Sequence, residues 1–171
     1  MIQNASDFYR LIKSKFPFQP TEKQDIVLLQ LSDFIFNVKP NVLYLLKGYA
    51  GTGKTSIIGT IVSNLWQAKI SAILLAPTGR AAKVISNYSK KEAFTIHKKI
   101  YFPKKEKDGG VKFVMQPNKH RNTIFIVDEA SMIPDAPSDS KLFENGSLLD
   151  DLMHYVYSGH KCKLLLIGDK A

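Results

Sequence analysis

The residues with the clearest chemical potential form a glycine-rich segment at positions 48–55, directly after an apolar run. Its sequence, GYAGTGKT, has four residues between two glycines, and then Lys-Thr. Without a Cβ, glycines let such a loop aim backbone N–H groups at phosphate oxygens. Lys54 adds a cation and Thr55 a hydroxyl suited to Mg²⁺. A chance glycine turn is the alternative, but the surrounding pattern favours a nucleotide-binding loop, with contacts from Gly48, Ala50, Gly51, Thr52, Gly53, Lys54 and Thr55.

Two acidic residues, Asp128 and Glu129, follow the apolar run at residues 123–127. Taken alone, Asp-Glu after a strand is a common turn. Behind a complete phosphate-binding loop, the first acid is expected to hold Mg²⁺ and the second to orient and deprotonate water. We therefore predict Lys54, Asp128 and Glu129 as catalytic residues, and Thr55 and Asp128 as magnesium ligands.

Four apolar runs are predicted to be buried strands, and they position these groups. They lie at residues 42–46, 70–76, 123–127 and 163–167, with helical patterns at 54–67, from about 77 to 87, and at 148–157. A polar loop is predicted at residues 134–146. This alternation predicts an α/β fold with three αβα layers and a mainly parallel sheet. Residues 77–80 then lie at the same sheet edge as the glycine loop, although Thr78 could equally be a plain helix cap.

Gln24 has two interpretations near the N-terminus. Helices are predicted from about Ser6, capped there or at Asn4, and from Thr21 through Val38. As the third residue after Thr21, Gln24 completes a capping box. Because its amide both donates and accepts, it could instead contact an adenine edge. The same amide atoms cannot serve both purposes.

The segment at about residues 100–117 has the pattern of a β-hairpin rather than of a helix or a buried strand. Asp-Gly-Gly at 108–110 separates two β-favouring runs, which predicts a hairpin with a basic tip. One interpretation is that the tip only keeps the protein soluble. The other is that Lys104 and Lys105 contact nucleic-acid phosphates while nearby aromatic residues stack on bases.

Composition narrows the class of protein. The chain has 171 residues, a formal net charge of +9 and one cysteine, which excludes an intrachain disulfide. The charge favours a polyanionic partner, nucleic acid before membrane, although a lysine-rich protein need not bind one. No second His or Cys stands at ligand spacing from His97, so a transition-metal site is rejected. We expect no membrane span and a cytoplasmic location. Because the chain stops just after a core strand, we expect a monomeric fragment of a longer protein.

Together the motifs resemble the first motor domain of superfamily 1 DNA helicases, in the branch that contains the RecD-like and Pif1-like enzymes. The similarity runs from Pro20 to Ala171. Residues 21–24 resemble the Q motif, 48–55 motif I, 76–82 motif Ia, 128–132 motif II and 168–169 the start of motif III. The resemblance implies a RecA-like fold, with residues 1–40 as a helical segment bearing the Q motif and 41–171 as an incomplete ATP-binding domain carrying the hairpin.

The resemblance also implies roles for individual residues. It supports adenine recognition by Gln24, a nucleotide contact at Asp169, and single-stranded DNA contacts at Pro77, Thr78, Gly79, Arg80 and His97. Helicases of this branch move 5′→3′ on single-stranded DNA, and the inserted hairpin bears on strand separation, so a single/double-strand junction is a second possible partner. Their arginine fingers come from a second domain, so this chain alone is expected to hydrolyse ATP poorly.

Two alternatives to a DNA helicase remain open from the sequence. One is a P-loop ATPase or nucleotide kinase without a nucleic-acid role, which would not need residues 77–82 or 95–97. The other is a DNA-binding module whose nucleotide site is only structural, in which Glu129 would activate no water.

Overall fold

The computed structural model describes residues 1–49, 51–134 and 143–169. The predictions for Ala50 and for the central part of the polar loop, residues 135–142, lie outside the described residues. Lys170 and Ala171 lie outside them as well.

A five-stranded parallel sheet forms the centre of the fold. Its strands stand in the order β1-β7-β6-β2-β3, and every neighbouring pair is parallel. Helices cover both faces, which confirms the predicted α/β class with a mainly parallel sheet. The strands are β1 (Leu43–Gly48), β2 (Ser71–Ala76), β3 (Ala93–Thr95), β6 (Thr123–Val127) and β7 (Lys163–Asp169).

In the part of the chain that the structure describes, six α-helices surround the sheet, and most begin at a polar side chain that caps the first turn. Thr21 and Gln24 form a reciprocal capping box, and Asn4, Thr78, Thr95 and Ser147 each accept a backbone N–H three residues on. The helices are α1 (Ala5–Lys15), α2 (Glu22–Ile35), α3 (Lys54–Asn64), α4 (Gly79–Ser89), α5 (Ile96–Ile100) and α6 (Leu148–Ser158).

Each face of the sheet has its own apolar core, because alternate strand residues point to opposite faces. Leu74 and Ile126 belong to the core beneath α1 to α4, whereas their neighbours Leu75 and Phe125 belong to the core beneath α5 and α6. All four side chains are fully buried. The strands therefore appear in the sequence as continuous apolar runs, as expected for a sheet covered on both sides.

Two helices end earlier than predicted, and two short elements were not predicted at all. The second helix ends at Ile35, and Val38, expected to continue it, is 97% exposed. The third ends at Asn64 and continues as a 3₁₀ turn, Leu65–Ala68, that stops at left-handed Lys69. Strand β3 and helix α5 were not predicted, because three strand residues at a sheet edge give little periodicity.

A separate two-stranded antiparallel hairpin is built from β4 (Tyr101–Lys105) and β5 (Val111–Met115). Its base is anchored by a buried carboxylate: Asp151 accepts hydrogen bonds from the Tyr101 hydroxyl and from the Asn145 backbone and side chain. Burial and this carboxylate raise the pKa of Tyr101, so the phenol remains a donor. Further out, Lys104 lies directly opposite Lys112, and both are exposed.

Among the described residues, none of the helices combines the length and apolar character needed to cross a bilayer.

Candidate nucleotide-binding site

The predicted chemical groups meet at the edge of the sheet where the parallel strands end. Gly48 at the end of β1 is the register partner of Asp169 at the end of β7. Asp128 follows β6, and residues 77–80 follow β2. Ligands of open parallel sheets bind at this edge, since the loops that leave the strands form a crevice there.

The glycine loop has the backbone conformation that its sequence requires. Gly51 and Gly53 have φ values of +81° and +87°, which strain residues with a Cβ. A Cβ at Gly53 would also collide with the side-chain amide of Gln24. Gly53 precedes α3 and provides no side-chain cap, so the first N–H groups of that helix can turn to an anion instead.

Lys54 already has anionic and dipolar partners in the protein. Its Nζ donates to the Gly48 carbonyl oxygen at 2.7 Å and forms an ion pair with the Asp169 carboxylate. The ammonium group is therefore held over the mouth of the loop between β1 and β7. A bound phosphate would have to share or replace Asp169 as its counter-charge.

The carboxylate of Asp128 is fixed from two sides. Its Oδ2 accepts a hydrogen bond from the Tyr88 hydroxyl at 3.0 Å, and its Oδ1 accepts one from the Glu129 N–H at 2.8 Å. Burial, followed by the charges of Asp128 and Glu129, raises the pKa of Tyr88 well above its usual range. Tyr88 is therefore protonated and acts as the donor.

Glu129 occupies a left-handed backbone conformation, with φ +53° and ψ +39°. Such a conformation costs a non-glycine residue about 1–2 kcal/mol, so the surrounding structure must hold it in place. Burial raises the pKa of Glu129, Asp128 and Asp169 raise it further, and Lys54 opposes them. These interactions place the four ionisable side chains in one electrostatic cluster, and they make Glu129 a stronger base than an isolated glutamate.

Gln24 contacts the loop directly. Its Oε1 accepts from the Thr21 N–H at 2.9 Å, which closes the capping box, and its Nε2 donates to the Thr52 carbonyl at 3.2 Å. Both ends of the amide are thus engaged in tying the start of α2 to the loop. Each amide atom keeps one further hydrogen-bonding position, so an adenine contact does not require either bond to open, and it stays a prediction.

The oxygen donors present suit magnesium. The hydroxyl of Thr55 is exposed at the start of α3, and Asp128 supplies a carboxylate at the end of β6. Mg²⁺ takes oxygen ligands and usually keeps few protein groups beside water and substrate phosphates. Within the described ranges, no three His, Cys, Asp or Glu side chains form a cage that would hold a metal by themselves. Thr55 and Asp128 could therefore hold Mg²⁺ together with a nucleotide.

The residues predicted to contact DNA lie close by, in two different settings. Thr78, Gly79 and Arg80 are exposed at the start of α4, with Pro77 half-buried before them. His97 is instead packed against the rings of Tyr101, Phe113 and Phe143, with centroids 5.5–6.3 Å away. Burial lowers the pKa of His97, so it is neutral at pH 7. This setting fits a packing role, and its DNA contact stays a prediction.

The hairpin separates its aromatic residues by face. Tyr101 is 3% exposed and belongs to the core, whereas Phe102 is 44% exposed. Lys104 and Lys105 are exposed towards the tip, and among the described residues no ion pair includes them or Arg80. Phe102 is thus the aromatic residue of β4 that is open to a base, with lysines beyond it.

Comparison of the sequence with known protein families identifies the family of this chain. The profile of a family described as AAA domain matches residues 33–171. The chain belongs to this AAA domain family. The matched region contains the glycine loop, Asp128, Glu129 and Asp169, so the family covers the nucleotide-binding edge described above.

This AAA domain is also similar to the ATP-dependent DNA helicase dda of Enterobacteria phage T4. The two are 35% identical over 102 residues, a stretch that amounts to 58% of this chain and 22% of the phage protein. The chain therefore spans about a fifth of that relative's length.

Two features of the AAA domain were not predicted from its sequence. The first is the bond between Tyr88 and Asp128, whose residues are 40 positions apart. The second is the buried anchor of the hairpin at Asp151, 50 positions from Tyr101. For both hydrogen bonds, the only local signal is a polar residue on the inner side of an amphipathic helix. That signal does not indicate which distant residue is the partner.

Proposed function

We propose that this chain is the ATP-binding motor domain of a superfamily 1 DNA helicase. The observation that carries the proposal is the meeting of Lys54, Asp128, Glu129 and Asp169 at one edge of the sheet. The AAA family match and the similarity to a phage DNA helicase support the same conclusion. The RecD-like and Pif1-like branch and 5′→3′ movement rest on the motif resemblance.

In the proposed reaction, the side chains at this edge of the sheet bind the phosphates and the metal and activate water. Backbone N–H groups of the loop and Lys54 bind the β- and γ-phosphates, and the γ-phosphate takes over from Asp169 as the partner of Lys54. Thr55 and Asp128 would hold Mg²⁺, which would supply positive charge at the phosphates. Glu129 orients a water molecule and accepts its proton, which its raised pKa favours.

Single-stranded DNA is proposed to run along the exposed start of α4, close to the nucleotide. Arg80 offers a cation there, and Thr78 and Gly79 expose backbone to an approaching phosphate. Among the described residues, no atom outside the chain neighbours and the helix backbone lies within 4 Å of a Cβ built at Gly79, so the surface is open at that point. The hairpin, with Phe102, Lys104 and Lys105, is proposed as a second contact, at single-stranded DNA or a strand junction.

Steady-state ATP hydrolysis by the intact protein, with and without oligo-dT, tests this function. We expect oligo-dT to stimulate turnover several-fold and Lys54→Ala to abolish it. Lys47→Ala is the matched control, because Lys47 is an exposed lysine near the end of β1, the strand that leads into the glycine loop. Turnover that depends on Lys54 but ignores oligo-dT would instead support a P-loop ATPase without a nucleic-acid role.

A further inference from the structure

We infer that Tyr88 is the positioning residue for the magnesium-binding carboxylate, holding Asp128 from helix α4 in the orientation that the metal requires. The inference rests on the proposed function, because it assumes that Mg²⁺ and ATP bind at this edge. It adds a residue that none of the sequence motifs includes.

The geometry around Asp128 leaves little rotational freedom. Its Oδ1 is occupied by the N–H of Glu129, the next residue in the chain, which cannot set the side-chain orientation alone. The Tyr88 hydroxyl, 3.0 Å from Oδ2, provides a second attachment point on a different element. Two bonds to two oxygens fix the plane of the carboxylate, while its remaining lone pairs stay open to a metal or to its water shell.

Tyr88 is itself well fixed. Its ring packs against the core beneath α1 to α4, and its side chain is largely enclosed. The residue lies in the last turn of α4, next to fully buried Ile85 and nearly buried Ser89. A hydroxyl on a rigid, enclosed ring is a better orienting group than water, because it loses little freedom when the bond forms.

Tyr88 and the other proposed metal ligand border the same groove. This groove, of about 640 Å³, runs between α3 and α4, and both Thr55 and Tyr88 line it. The tyrosine is therefore hydrogen-bonded to one group proposed to hold Mg²⁺ and shares a groove with the other. A neutral donor suits this place, since it fixes Asp128 without cancelling the negative charge that attracts the cation.

The test measures metal binding rather than turnover. Mn²⁺ serves as the probe, because it takes the same oxygen donors and its free concentration is measured by electron paramagnetic resonance. We expect Tyr88→Phe to weaken Mn²⁺ binding to the protein–ADP complex about tenfold, the lower end of the range for lost outer-shell partners. Binding of ADP without metal is expected to be unchanged, since the variant keeps the ring and leaves the glycine loop intact.

Tyr157→Phe is the matched control. The Tyr157 hydroxyl also makes one hydrogen bond, to the Val42 carbonyl at 3.0 Å, but at the opposite edge of the sheet. A double-mutant cycle with Asp128→Asn separates positioning from a general effect. If Tyr88 acts through Asp128, Tyr88→Phe has little further effect on Mn²⁺ affinity once Asp128 is changed.

The outcomes are distinct. Equal Mn²⁺ affinities for Tyr88→Phe and Tyr157→Phe would overturn the inference while leaving the proposed function in place. Additive effects in the cycle, or an equal loss of metal-free ADP binding, would also overturn it, because Tyr88 would then act on the site as a whole. A wild-type protein that binds neither ADP nor Mn²⁺–ADP would overturn the proposed function and this inference together.

Discussion

Lys54 at the nucleotide-binding edge is paired with Asp169, whereas Lys104 on the hairpin lies opposite another lysine, Lys112. At the first site Lys54 and Asp169 form an ion pair, and Asp128 accepts a hydrogen bond from Tyr88. At the second, none of the described residues forms an ion pair with Lys104 or Lys112. The molecule thus holds one set of charges in fixed positions and leaves the other to solvent.

This difference matches two kinds of ligand. A nucleotide that must be hydrolysed needs groups placed in advance, so that little reorganisation remains in the transition state. A DNA backbone needs only positive charge, because its binding is driven by the release of counterions. Like charges facing each other across a hairpin destabilise it, and a polyanion would remove that repulsion.

The largest expected effect tests the nucleotide edge. Glu129→Gln is expected to reduce ATP turnover by about 10²–10⁴-fold, the usual contribution of a general base, and to leave ATP affinity within a few-fold. The glutamine side chain has the same length and branching as glutamate. The left-handed backbone at residue 129 should therefore be retained, and the variant should fold. Steady-state kinetics with Glu92→Gln, an exposed glutamate, as control would measure this. Unchanged turnover would indicate a nucleotide site with a structural role.

The second prediction concerns the base of the hairpin, which is fixed although its tip is exposed. Asp151→Asn replaces an acceptor with an amide that faces three donor groups, from Tyr101 and Asn145. We expect a loss of about 2–3 kcal/mol in the free energy of unfolding, since a buried hydrogen-bonded charge is removed. Urea denaturation would measure it, with Asp150→Asn, an exposed neighbour, as control. Equal stabilities would show that the anchor contributes nothing.

The fold could be predicted from the sequence because its signals are local. Short continuous apolar runs such as residues 123–127 favour strands buried on both faces, and the glycine spacing at 48–55 belongs to a strand–loop–helix unit. The placement of residues 77–80 at the same sheet edge as the glycine loop followed from parallel strands alone. These inferences needed no side-chain geometry.

The contacts that fix the site could not be predicted, because they join residues far apart in the sequence. Nothing near Tyr88 indicates that its hydroxyl meets Asp128, and nothing near Gln24 indicates that its amide bonds to Thr52. Thr21 and Gln24 did predict the capping box, since that bond is local. Sequence patterns thus identified the chemical groups, while tertiary packing decides how each is held.

The third prediction tests the exposed set of charges. Replacing Lys104, Lys105 and Lys107 with glutamate is expected to weaken oligo-dT binding by at least about tenfold. The slope of the logarithm of the binding constant against the logarithm of the salt concentration should become less steep by roughly 0.7 for each lost phosphate contact. Fluorescence anisotropy at several salt concentrations would measure both. Reversal of Lys39, Lys69 and Lys161 makes the same change in net charge away from the hairpin. Equal salt slopes in the two variants would leave the tip with a solubilising role only.

The smallest effect concerns His97, which is packed against aromatic rings and has a lowered pKa because it is partly buried. The unfolded chain then binds a proton at His97 more readily than the folded one does. The stability that the neutral ring provides is therefore fully present above pH 6.5, the ordinary histidine value, and is lost as pH falls through the lower folded pKa.

We expect the urea midpoint to fall less between pH 7.5 and 5.5 in His97→Phe than in the wild type. The remaining slope belongs to other groups, including His120, whose pKa is lowered by burial and by Lys99. Parallel midpoints for variant and wild type would mean that His97 is already hydrated when folded, and a contact with DNA would then be the better explanation of its position.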